Sequence, residues 1–256
     1  MDAPEVDHTL WLRSFHDAPG RRTRLVCLPH AGGSASFFFP VSRSLSPALD
    51  VIAVQYPGRQ DRRHEKCVDT IPELARQIVD VLDPRPDGPP IALFGHSLGA
   101  TLGFEIARLM EERGTAPAHL FASGRRAPSR HRHETVHQRD DEGLLAELRL
   151  LSGTDARVLG DEEVLRMALP AIRSDYRAAE TYVYEPGPAL ACPITVFTGE
   201  NDPKVTLDEA RAWETHTSAG FDMHTYPGGH FFLSDHSAAM LKVISGRLTP
   251  VTTGSH

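Results

Sequence analysis

The sequence predicts an α/β fold in which a mostly parallel central sheet is flanked by helices. Short apolar, β-branched runs of strand-like length alternate with segments whose apolar residues recur every three or four positions, as in amphipathic helices. This alternation is typical of βα units built around a parallel sheet. The chain has 256 residues, 40% of them hydrophobic, which is enough for one large core. We therefore expect a single domain over residues 1–256.

The individual elements follow from the same pattern. The predicted strands are, in chain order, Arg24–Leu28, Val51–Tyr56, Ile91–Phe94, His119–Ser123, Ile194–Thr198 and Asp222–Tyr226. Helices are predicted between and after them, at Ser34–Leu45, Ile71–Leu82, Leu98–Arg113, Asp208–Thr217 and His236–Arg247. Gly114 is well placed to end the third helix, because glycine readily takes the left-handed conformation of a C-cap.

Residues 128–188 interrupt the alternation. They contain no convincing strand, but "DEGLLAELRLL" and "DEEVLRMALPAIRSDYRAAETY" carry leucine-type residues at helical spacing. Pro170 is expected to interrupt or kink the second helix, because proline lacks an N–H group and its ring crowds the preceding turn. A helical insertion where parallel strands end predicts a lid over a site, with a pair of ordinary surface helices as the alternative. Residues 249–256, "TPVTTGSH", are predicted to form a disordered tail.

Composition and charge argue against several classes of partner. The net charge is −7, whereas a protein whose main ligand is nucleic acid presents a net basic surface. No apolar run approaches the roughly 18 residues that span a bilayer, and the N-terminus lacks a secretory apolar region. We therefore expect no membrane association and a cytoplasmic location. Three scattered cysteines predict buried, reduced thiols rather than a disulfide framework: Cys27, Cys67 and Cys192.

The segment "IALFGHSLGATLGFEIA" contains the first candidate catalytic residue, Ser97. A strand-like run leads directly into Gly-x-Ser-x-Gly, and a helical pattern leads directly out. Small residues at Gly95 and Gly99 would let the strand turn sharply into the helix, which leaves the serine hydroxyl exposed at the apex as a nucleophile. The alternative, a serine that merely occupies a tight turn, explains less of this context.

A serine hydroxyl is a poor nucleophile unless a base takes its proton and an acid orients that base. In a hydrolase of this architecture the order along the chain is Ser, then Asp or Glu, then His, on loops at the ends of strands. The loop after the strand Ile194–Thr198 reads "GENDP" and supplies Asp202, which is held by the following proline. Glu200, in the same loop, is the rival acid.

The candidate base lies in "DMHTYPGGHFFLSDH". A strand that ends at Tyr226 leads into a Pro-Gly-Gly turn, with His230 at its tip. His224 and His236 are weaker candidates, because the first lies within the strand and the second begins the next helix. We expect Asp202 to fix the tautomer of His230 and to stabilise the imidazolium without accepting the proton itself.

Acyl transfer also needs two backbone N–H donors aimed at the developing oxyanion. One is expected at Leu98, at the N-terminus of a helix, where the dipole favours negative charge. The other is expected at Ala31, because the adjacent Gly32–Gly33 pair allows a close approach of the backbone. A helix start capped by Ser34 or Ser36 is a second interpretation of this loop, and both can hold together.

Six segments, in order and at similar spacing, carry a family resemblance: "PHAGGSASFF", "AVQYPGRQDRR", "FGHSLGA", "ASGRRAP", "TGENDP" and "GGHFFL". From about Leu25 to Phe232 the chain resembles the stand-alone type II thioesterases of polyketide and non-ribosomal peptide assembly lines. The resemblance implies an α/β-hydrolase fold with a helical lid. It also implies hydrolysis of acyl or aminoacyl thioesters on the phosphopantetheine arm of carrier proteins, which clears stalled or misloaded intermediates. Five positions match the family's triad and oxyanion amides: Ser97, Asp202 and His230, then Ala31 and Leu98.

The implied partner is an acyl or peptidyl carrier protein that is acidic around its pantetheine attachment site. Two basic segments, Gly58–Arg63 and Gly124–His133, follow predicted strands and would lie at the active-site edge of a parallel sheet. Such a basic rim could orient docking by complementary charge. The alternative is a set of solvated arginines paired with local acids such as Asp61 and Glu134.

The implied mechanism requires no metal or organic cofactor. His131, His133 and His137 have loop-like spacing without further ligands, so no metal site is predicted there. Three rival functions remain. A generic carboxylesterase or lipase would prefer oxygen esters, a peptidase would cleave amides, and a non-catalytic binding module would not need the three triad positions filled.

Overall fold

A computed structural model describes residues 7–20, 23–46, 48–152 and 162–249. Within these residues seven strands form one sheet, in the order β1-β3-β2-β4-β5-β6-β7. The strands are β1 Leu12–Arg13, β2 Arg24–Leu28, β3 Asp50–Val54, β4 Ile91–His96, β5 His119–Ser123, β6 Ile194–Gly199 and β7 Phe221–Tyr226. All neighbouring pairs are parallel except β1 with β3. The predicted α/β fold with a mostly parallel sheet is confirmed.

Helices lie on both faces of the sheet and between its strands. In the described residues the α-helices are α1 His8–Trp11, α2 Phe39–Leu45, α3 Ile71–Leu82, α4 Leu98–Glu112, α5 Asp141–Ser152, α6 Glu162–Thr181, α7 Leu207–Arg211 and α8 Ser237–Leu248. A short 3-10 helix, Ala35–Phe38, precedes α2, and another, Ala212–His216, continues α7. The predicted helix over Asp208–Thr217 is therefore half α-helix and half 3-10 helix. Gly114 follows α4 with a φ of 78°, as the C-cap prediction requires.

Alternation along the strands builds a core on each face of the sheet. In β2, Leu25 and Cys27 pack into one core, with side chains of α2 and α8, whereas Val26 and Leu28 pack into the other, with side chains of α3 and α4. All four side chains are fully buried, since a central parallel strand is covered on both faces. The sheet is therefore a rigid platform, and its strand ends carry the site.

The insertion between β5 and β6 is helical. We call α5 and α6 the inserted helices. They share a separate small core, whose buried members include Leu145, Leu169, Ile172 and Tyr176, and this core also contacts Ala31. Pro170 lies inside α6 without ending it, because the neighbouring Leu169 and Ile172 are buried and hold the helix in place. The role of these helices as a lid remains a prediction.

The structure contains one strand beyond the predicted ones, the two-residue β1. Cys27 and Cys192 are buried and Cys67 is half-buried, all three as free thiols. Except for Thr249, the predicted C-terminal tail lies outside the described residues. In the part of the chain that the structure covers, no helix is long and apolar enough to cross a membrane.

Candidate active site

The sheet order places the candidate site at a switch in the direction of the chain. From β2 the chain moves to β3 on one side, and it then returns to place β4 on the other side of β2. In open α/β sheets the crevice at the carboxyl ends of two such strands is the usual ligand site. The loop with Ala31 follows β2, and Ser97 follows β4, so both predicted elements lie at this crevice.

Ser97 lies at the apex of a sharp turn between β4 and α4. Its backbone has a φ of 54° and a ψ of −114°, a conformation that residues with side chains rarely adopt. The flanking glycines are required by space: a Cβ atom at Gly95 would lie 2.0 Å from the Gly99 carbonyl oxygen, and one at Gly99 would lie 2.0 Å from that of Leu28. The Ser97 N–H group donates to the Ser123 carbonyl at 2.8 Å, which ties the turn to β5. The strand-turn-helix geometry that the motif predicts is therefore present.

His230 and Asp202 form a buried pair. The Nδ1 atom of His230 lies 3.0 Å and 2.9 Å from the two carboxylate oxygens of Asp202. An ionised carboxylate only accepts hydrogen bonds, so Nδ1 carries the hydrogen and the neutral ring keeps its lone pair on Nε2. The backbone N–H of Lys204 donates to the same carboxylate at 2.8 Å. This tautomer is the one that a general base requires.

The loops that carry the acid and the base are joined through their backbones. The Asn201 N–H group donates to the Gly228 carbonyl at 2.9 Å, and that of Glu200 donates to Tyr226 at 2.8 Å. A Cβ atom at Gly199 would lie 2.4 Å from the Gly229 carbonyl oxygen, so only glycine allows this approach. The distance between Asp202 and His230 is consequently set by the parallel pairing of β6 with β7.

The rival residues lie in other surroundings. Glu200 is exposed, and it is Asp202 that contacts the His230 ring. His224 lies within β7, 4.0 Å from the Asp222 carboxylate. The Nε2 atom of His236 is 2.9 Å from the Pro227 carbonyl oxygen. The geometry therefore favours Asp202 and His230 over the alternatives that the sequence left open.

Ala31 and Leu98 line one cavity together with Ser97 and His230. Leu98 is the first residue of α4, and the first N–H groups of a helix have no partner within the helix. Ala31 lies in a tight turn in which the Gly33 N–H group donates to the His30 carbonyl at 2.9 Å. Both predicted oxyanion donors therefore belong to residues that line the same cavity as Ser97, and their role remains a prediction.

The second interpretation of this loop, a helix capped by a serine side chain, is not what the structure contains. Ser34 does occupy the N-cap position of the 3-10 helix Ala35–Phe38, but its side chain makes no cap hydrogen bond. Its hydroxyl lies 2.8 Å from that of Ser36. The loop is shaped instead by its glycines and by contacts from other segments.

Two further histidines lie beside the candidate base. The His96 ring centre is 5.1 Å from that of His230, and the His30 ring is 6.0 Å from that of His96. Burial, reinforced by the nearby His230, lowers the pKa of His96 well below its usual range. Burial also lowers the pKa of His30 to about 3. Both rings are therefore neutral near pH 7, so they add no positive charge against a protonated His230.

The cavity opens to solvent. Its apolar lining residues include Leu148, Leu151 and Phe231. Its polar and charged lining residues include Arg125, Glu134, Tyr176, Glu180 and Lys204. The lining therefore combines apolar side chains, two of them from α5, with charged and polar ones.

Two charged residues of the lining, Glu134 and Lys204, form an ion pair with each other. Glu134 accepts hydrogen bonds from Arg126 at 2.5 Å and from Lys204 at 3.0 Å. Burial alone would raise the pKa of Glu134, but Arg126 and Lys204 outweigh it and lower the pKa to about 2. The sequence suggested Glu134 as a local partner of the arginines of the basic rim, but it gave no signal for Lys204, which comes from a distant loop.

The predicted basic rim is largely committed to internal ion pairs. In the described structure four of its arginines pair with carboxylates: Arg59 with Asp175, Arg62 with Glu65, Arg126 with Glu134 and Arg132 with Glu209. Asp61, expected to neutralise the rim locally, pairs with Arg13 instead. Arg63 and Arg130 are exposed. The charge available for docking is therefore smaller than the sequence suggests.

The histidines near the second basic segment do not converge. His131 and His133 are exposed, and the Nδ1 atom of His137 lies 2.5 Å from the Glu180 carboxylate. Within the described ranges no group of three or more His, Cys, Asp or Glu side chains is arranged to hold a metal ion.

Comparison with known proteins gives this geometry a context. A family model described as "Thioesterase domain" matches residues 23–248. The chain is 51% identical over 251 residues to Thioesterase PikA5 of Streptomyces venezuelae, which covers 98% of this chain and 89% of that protein. It is 34% identical over 240 residues to the gramicidin S biosynthesis protein GrsT of Aneurinibacillus migulanus, with 93% of each chain covered.

Solved structures agree. The type II thioesterase BorB from the borrelidin biosynthetic cluster superimposes with a TM-score of 0.89 at 52% identity, over 96% of this chain and 100% of that one. RedJ, a thioesterase of the prodiginine pathway in Streptomyces coelicolor, gives a TM-score of 0.83 at 37% identity, over 91% of this chain and 88% of that one. The family model and these relatives span nearly the whole chain, including every strand end that carries a candidate residue. The chain belongs to the thioesterase domain family and has its α/β-hydrolase fold.

Proposed function

We propose that this protein is a serine thioesterase that hydrolyses acyl or aminoacyl thioesters on the phosphopantetheine arm of carrier proteins. Its role would be to clear stalled or misloaded intermediates from polyketide or non-ribosomal peptide synthases. The observation that carries the proposal is the buried contact of His230 with both carboxylate oxygens of Asp202, in the cavity that Ser97 also lines. Membership of the thioesterase domain family, and 51% identity to PikA5, support the thioester as substrate.

In the first step, the Ser97 oxygen attacks the thioester carbonyl carbon and the Nε2 atom of His230 takes the hydroxyl proton. The carbonyl oxygen becomes an oxyanion and accepts hydrogen bonds from the Ala31 and Leu98 amides. The carbon-sulfur bond then breaks, the pantetheine sulfur takes the proton from His230, and the pantetheine leaves as a thiol. The product of this step is an acyl ester on Ser97.

In the second step, water attacks the acyl ester and His230 takes its proton. The same two amides stabilise the second oxyanion, and the Ser97 oxygen leaves with the proton from His230. Asp202 stays ionised throughout and stabilises the imidazolium. We propose that this chemistry uses neither a metal nor an organic cofactor.

The carrier protein as partner is also part of the proposal. The relatives' names link them to gramicidin S and borrelidin biosynthesis, and the family resemblance implies substrates borne on carrier proteins. The exposed Arg63 and Arg130 would face an acidic carrier, and rim charges of this kind affect the rate of encounter more than affinity. A cytoplasmic location, predicted from the sequence, fits such a partner.

Intact-protein mass spectrometry tests the proposal. An acetyl-loaded carrier protein is incubated with the wild type, with Ser97→Ala and with Ser237→Ala, an exposed serine at the start of α8 that serves as the matched control. We expect the acetyl mass to be lost, with the pantetheine arm retained, in the presence of the wild type and the control only. Removal of a catalytic serine costs up to about 10⁶-fold in turnover.

Two results would contradict this function. Retention of the acetyl group together with cleavage of p-nitrophenyl acetate would indicate a carboxylesterase that uses the same residues. Equal turnover by Ser97→Ala and the wild type would exclude the serine mechanism itself.

A further inference from the structure

Arg59 and Asp175 form an ion pair inside the protein, next to the candidate site. The two guanidinium NH groups of Arg59 donate to the two carboxylate oxygens of Asp175, at 2.6 Å and 2.8 Å. The Asp175 side chain is 2% exposed and that of Arg59 is 8% exposed. A buried pair of this kind costs desolvation energy and is weak evidence for stability alone, so its other contacts matter.

Those other contacts are to the oxyanion turn, by which we mean residues 30–33. The Gly32 N–H group donates to an Asp175 carboxylate oxygen at 2.7 Å, and Arg59 donates to the Gly33 carbonyl at 3.0 Å. Gly32 directly follows Ala31 and has a φ of 76°. The pair thus holds the backbone of Gly32 and Gly33, directly after Ala31, whose amide is proposed to bind the oxyanion.

Asp175 does not belong to the sheet platform but to the inserted helix α6. The same helix presses Ile172 onto the turn, since a Cβ atom at Gly32 would lie 2.7 Å from an Ile172 side-chain carbon. By contrast, Arg59 follows β3, and Tyr56 just before it donates to the Pro29 carbonyl at 3.0 Å. One side of the turn is therefore held from the sheet and the other from the insertion.

We propose that Asp175, clamped by Arg59, is a positioning residue that makes the shape of the oxyanion turn depend on the seating of helix α6. The proposal rests on the proposed function of Ala31 as an oxyanion donor. If α6 lifts away, the Gly32 N–H group loses its acceptor and the Arg59 charge loses its partner. The turn is then free to reorient, and the oxyanion donor is misplaced. Seating of the insertion over a bound acyl group would thereby complete the catalytic geometry.

Two double variants separate positioning from stability. Arg59→Met with Asp175→Asn removes both charges but keeps an oxygen acceptor for the Gly32 N–H group. Arg59→Met with Asp175→Val removes both charges and the acceptor. Neither leaves a lone buried charge, which is the main cause of unfolding when one partner of such a pair is removed.

The readout is steady-state hydrolysis of p-nitrophenyl acetate, with kcat and KM measured separately and folding followed by circular dichroism. We expect the Asn-containing variant to keep kcat within about 3-fold, and the Val-containing variant to lose at least about 10-fold in kcat with KM unchanged, since a misplaced oxyanion donor costs up to about 10²-fold. Equal kcat in the two folded double variants would overturn the proposal.

A third variant keeps the test decisive if the Val-containing protein does not fold. Arg59→Met with Asp175→Leu also removes both charges and the acceptor, and leucine is closer to aspartate in shape than valine is, because it branches at Cγ. Its kcat should fall at least about 10-fold at constant KM, on the same scale of misplacement. An unchanged kcat would overturn the proposal.

Asp141→Asn is the matched control. It breaks the ion pair of 2.7 Å between Arg173 of α6 and Asp141 of α5, which does not touch the oxyanion turn. Its kcat should equal that of the wild type, and a loss as large as that of the Val-containing variant would overturn the proposal, because the loss would then not depend on the contacts of Asp175 with the turn. Hydrolysis of p-nitrophenyl acetate needs no carrier protein. If the proposed function is wrong, the wild type will not release acyl groups from a carrier protein, but the kcat values of the variants on p-nitrophenyl acetate can still be compared.

Discussion

Replacing Gly99 with alanine tests whether the turn around Ser97 is as tightly constrained as its geometry indicates. Gly99 is the second residue of α4, directly over the end of β2. A Cβ atom there would lie 2.0 Å from the Leu28 carbonyl oxygen and 2.8 Å from that of Pro29. Both atoms belong to the backbone that leads into the oxyanion turn, so neither can swing aside as a flexible side chain would.

The magnitude follows from these distances. Bringing the shorter contact to the 3.0 Å below which real Cβ atoms are not found requires the backbone segments to separate by about 1 Å. Overpacking costs typically about 1–3 kcal/mol, and we expect the upper end because backbone must move. Alanine recovers up to about 1 kcal/mol through its higher helix propensity. The free energy of unfolding should therefore fall by about 2 kcal/mol, and a 1 Å displacement of the oxyanion turn can lower kcat by about 10²-fold.

Urea unfolding measures the first effect, and the rate at which a fluorophosphonate labels Ser97 measures the second. Gly246→Ala is the control, because Gly246 lies in α8 with no atom within 4 Å of the added Cβ. We expect it to gain about 0.5–1 kcal/mol from helix propensity alone, without a change in labelling. The reasoning is wrong if Gly99→Ala matches the wild type in both stability and labelling rate.

Three further substitutions probe the site and its supports. Asp202→Asn should lower kcat by about 10⁴-fold with the fold intact by circular dichroism, because an amide donor at Nδ1 of His230 forces the ring proton onto Nε2. A kcat near that of the wild type would exclude Asp202 as the orienting acid. In the wild type, the free energy of unfolding should fall between pH 7 and pH 5, because the unfolded His30 takes up a proton below its pKa of about 6.5 whereas the folded one, with its pKa at about 3, does not. His30→Gln should reduce this fall by about 2 kcal/mol, measured by urea unfolding at both pH values. Parallel pH profiles for the two proteins would show that His30 is not the group that protonates on unfolding. Thr206→Ala should cost about 1 kcal/mol by the same assay, since Thr206 and Glu209 form a reciprocal capping box at α7, and an unchanged midpoint would mean that the box contributes nothing.

The elements of the platform could be predicted from sequence because their signals are local. Arg24–Leu28 and His119–Ser123 were predicted with the observed bounds, since the interior of each is a continuous run of apolar residues and both ends are marked by a change to polar residues. The same holds for Ile71–Leu82. In contrast, β1 has only two residues, Leu12 and Arg13, which is too short for any periodicity. It exists because it pairs with Val54 and Ala53 of β3, forty residues or so along the chain.

The candidate triad could be proposed from the sequence, because each member lies in a short motif at the end of a strand. Ser97 has its glycines, Asp202 its turn and proline, and His230 its Pro-Gly-Gly turn. The sequence favoured Asp202 over Glu200 through the following proline and the family resemblance, without a geometric reason. Both follow β6 within three residues of its end, and only the direction of the loop, set by the hydrogen bonds to β7, brings one of them against the imidazole.

The basic rim shows where local signals mislead. A run such as "GRQDRR" suggests a solvated, partner-facing surface, yet Arg59 is buried against a carboxylate 116 positions away in sequence. Asp175 in turn lies in the middle of a helix with no motif around it, so its pattern is that of any polar helical residue. Its importance arises only when the insertion folds back over the loop after β2. The candidate nucleophile, base and acid can therefore be proposed one at a time from local motifs, whereas the contact of Asp175 with Gly32 arises only in the assembled fold.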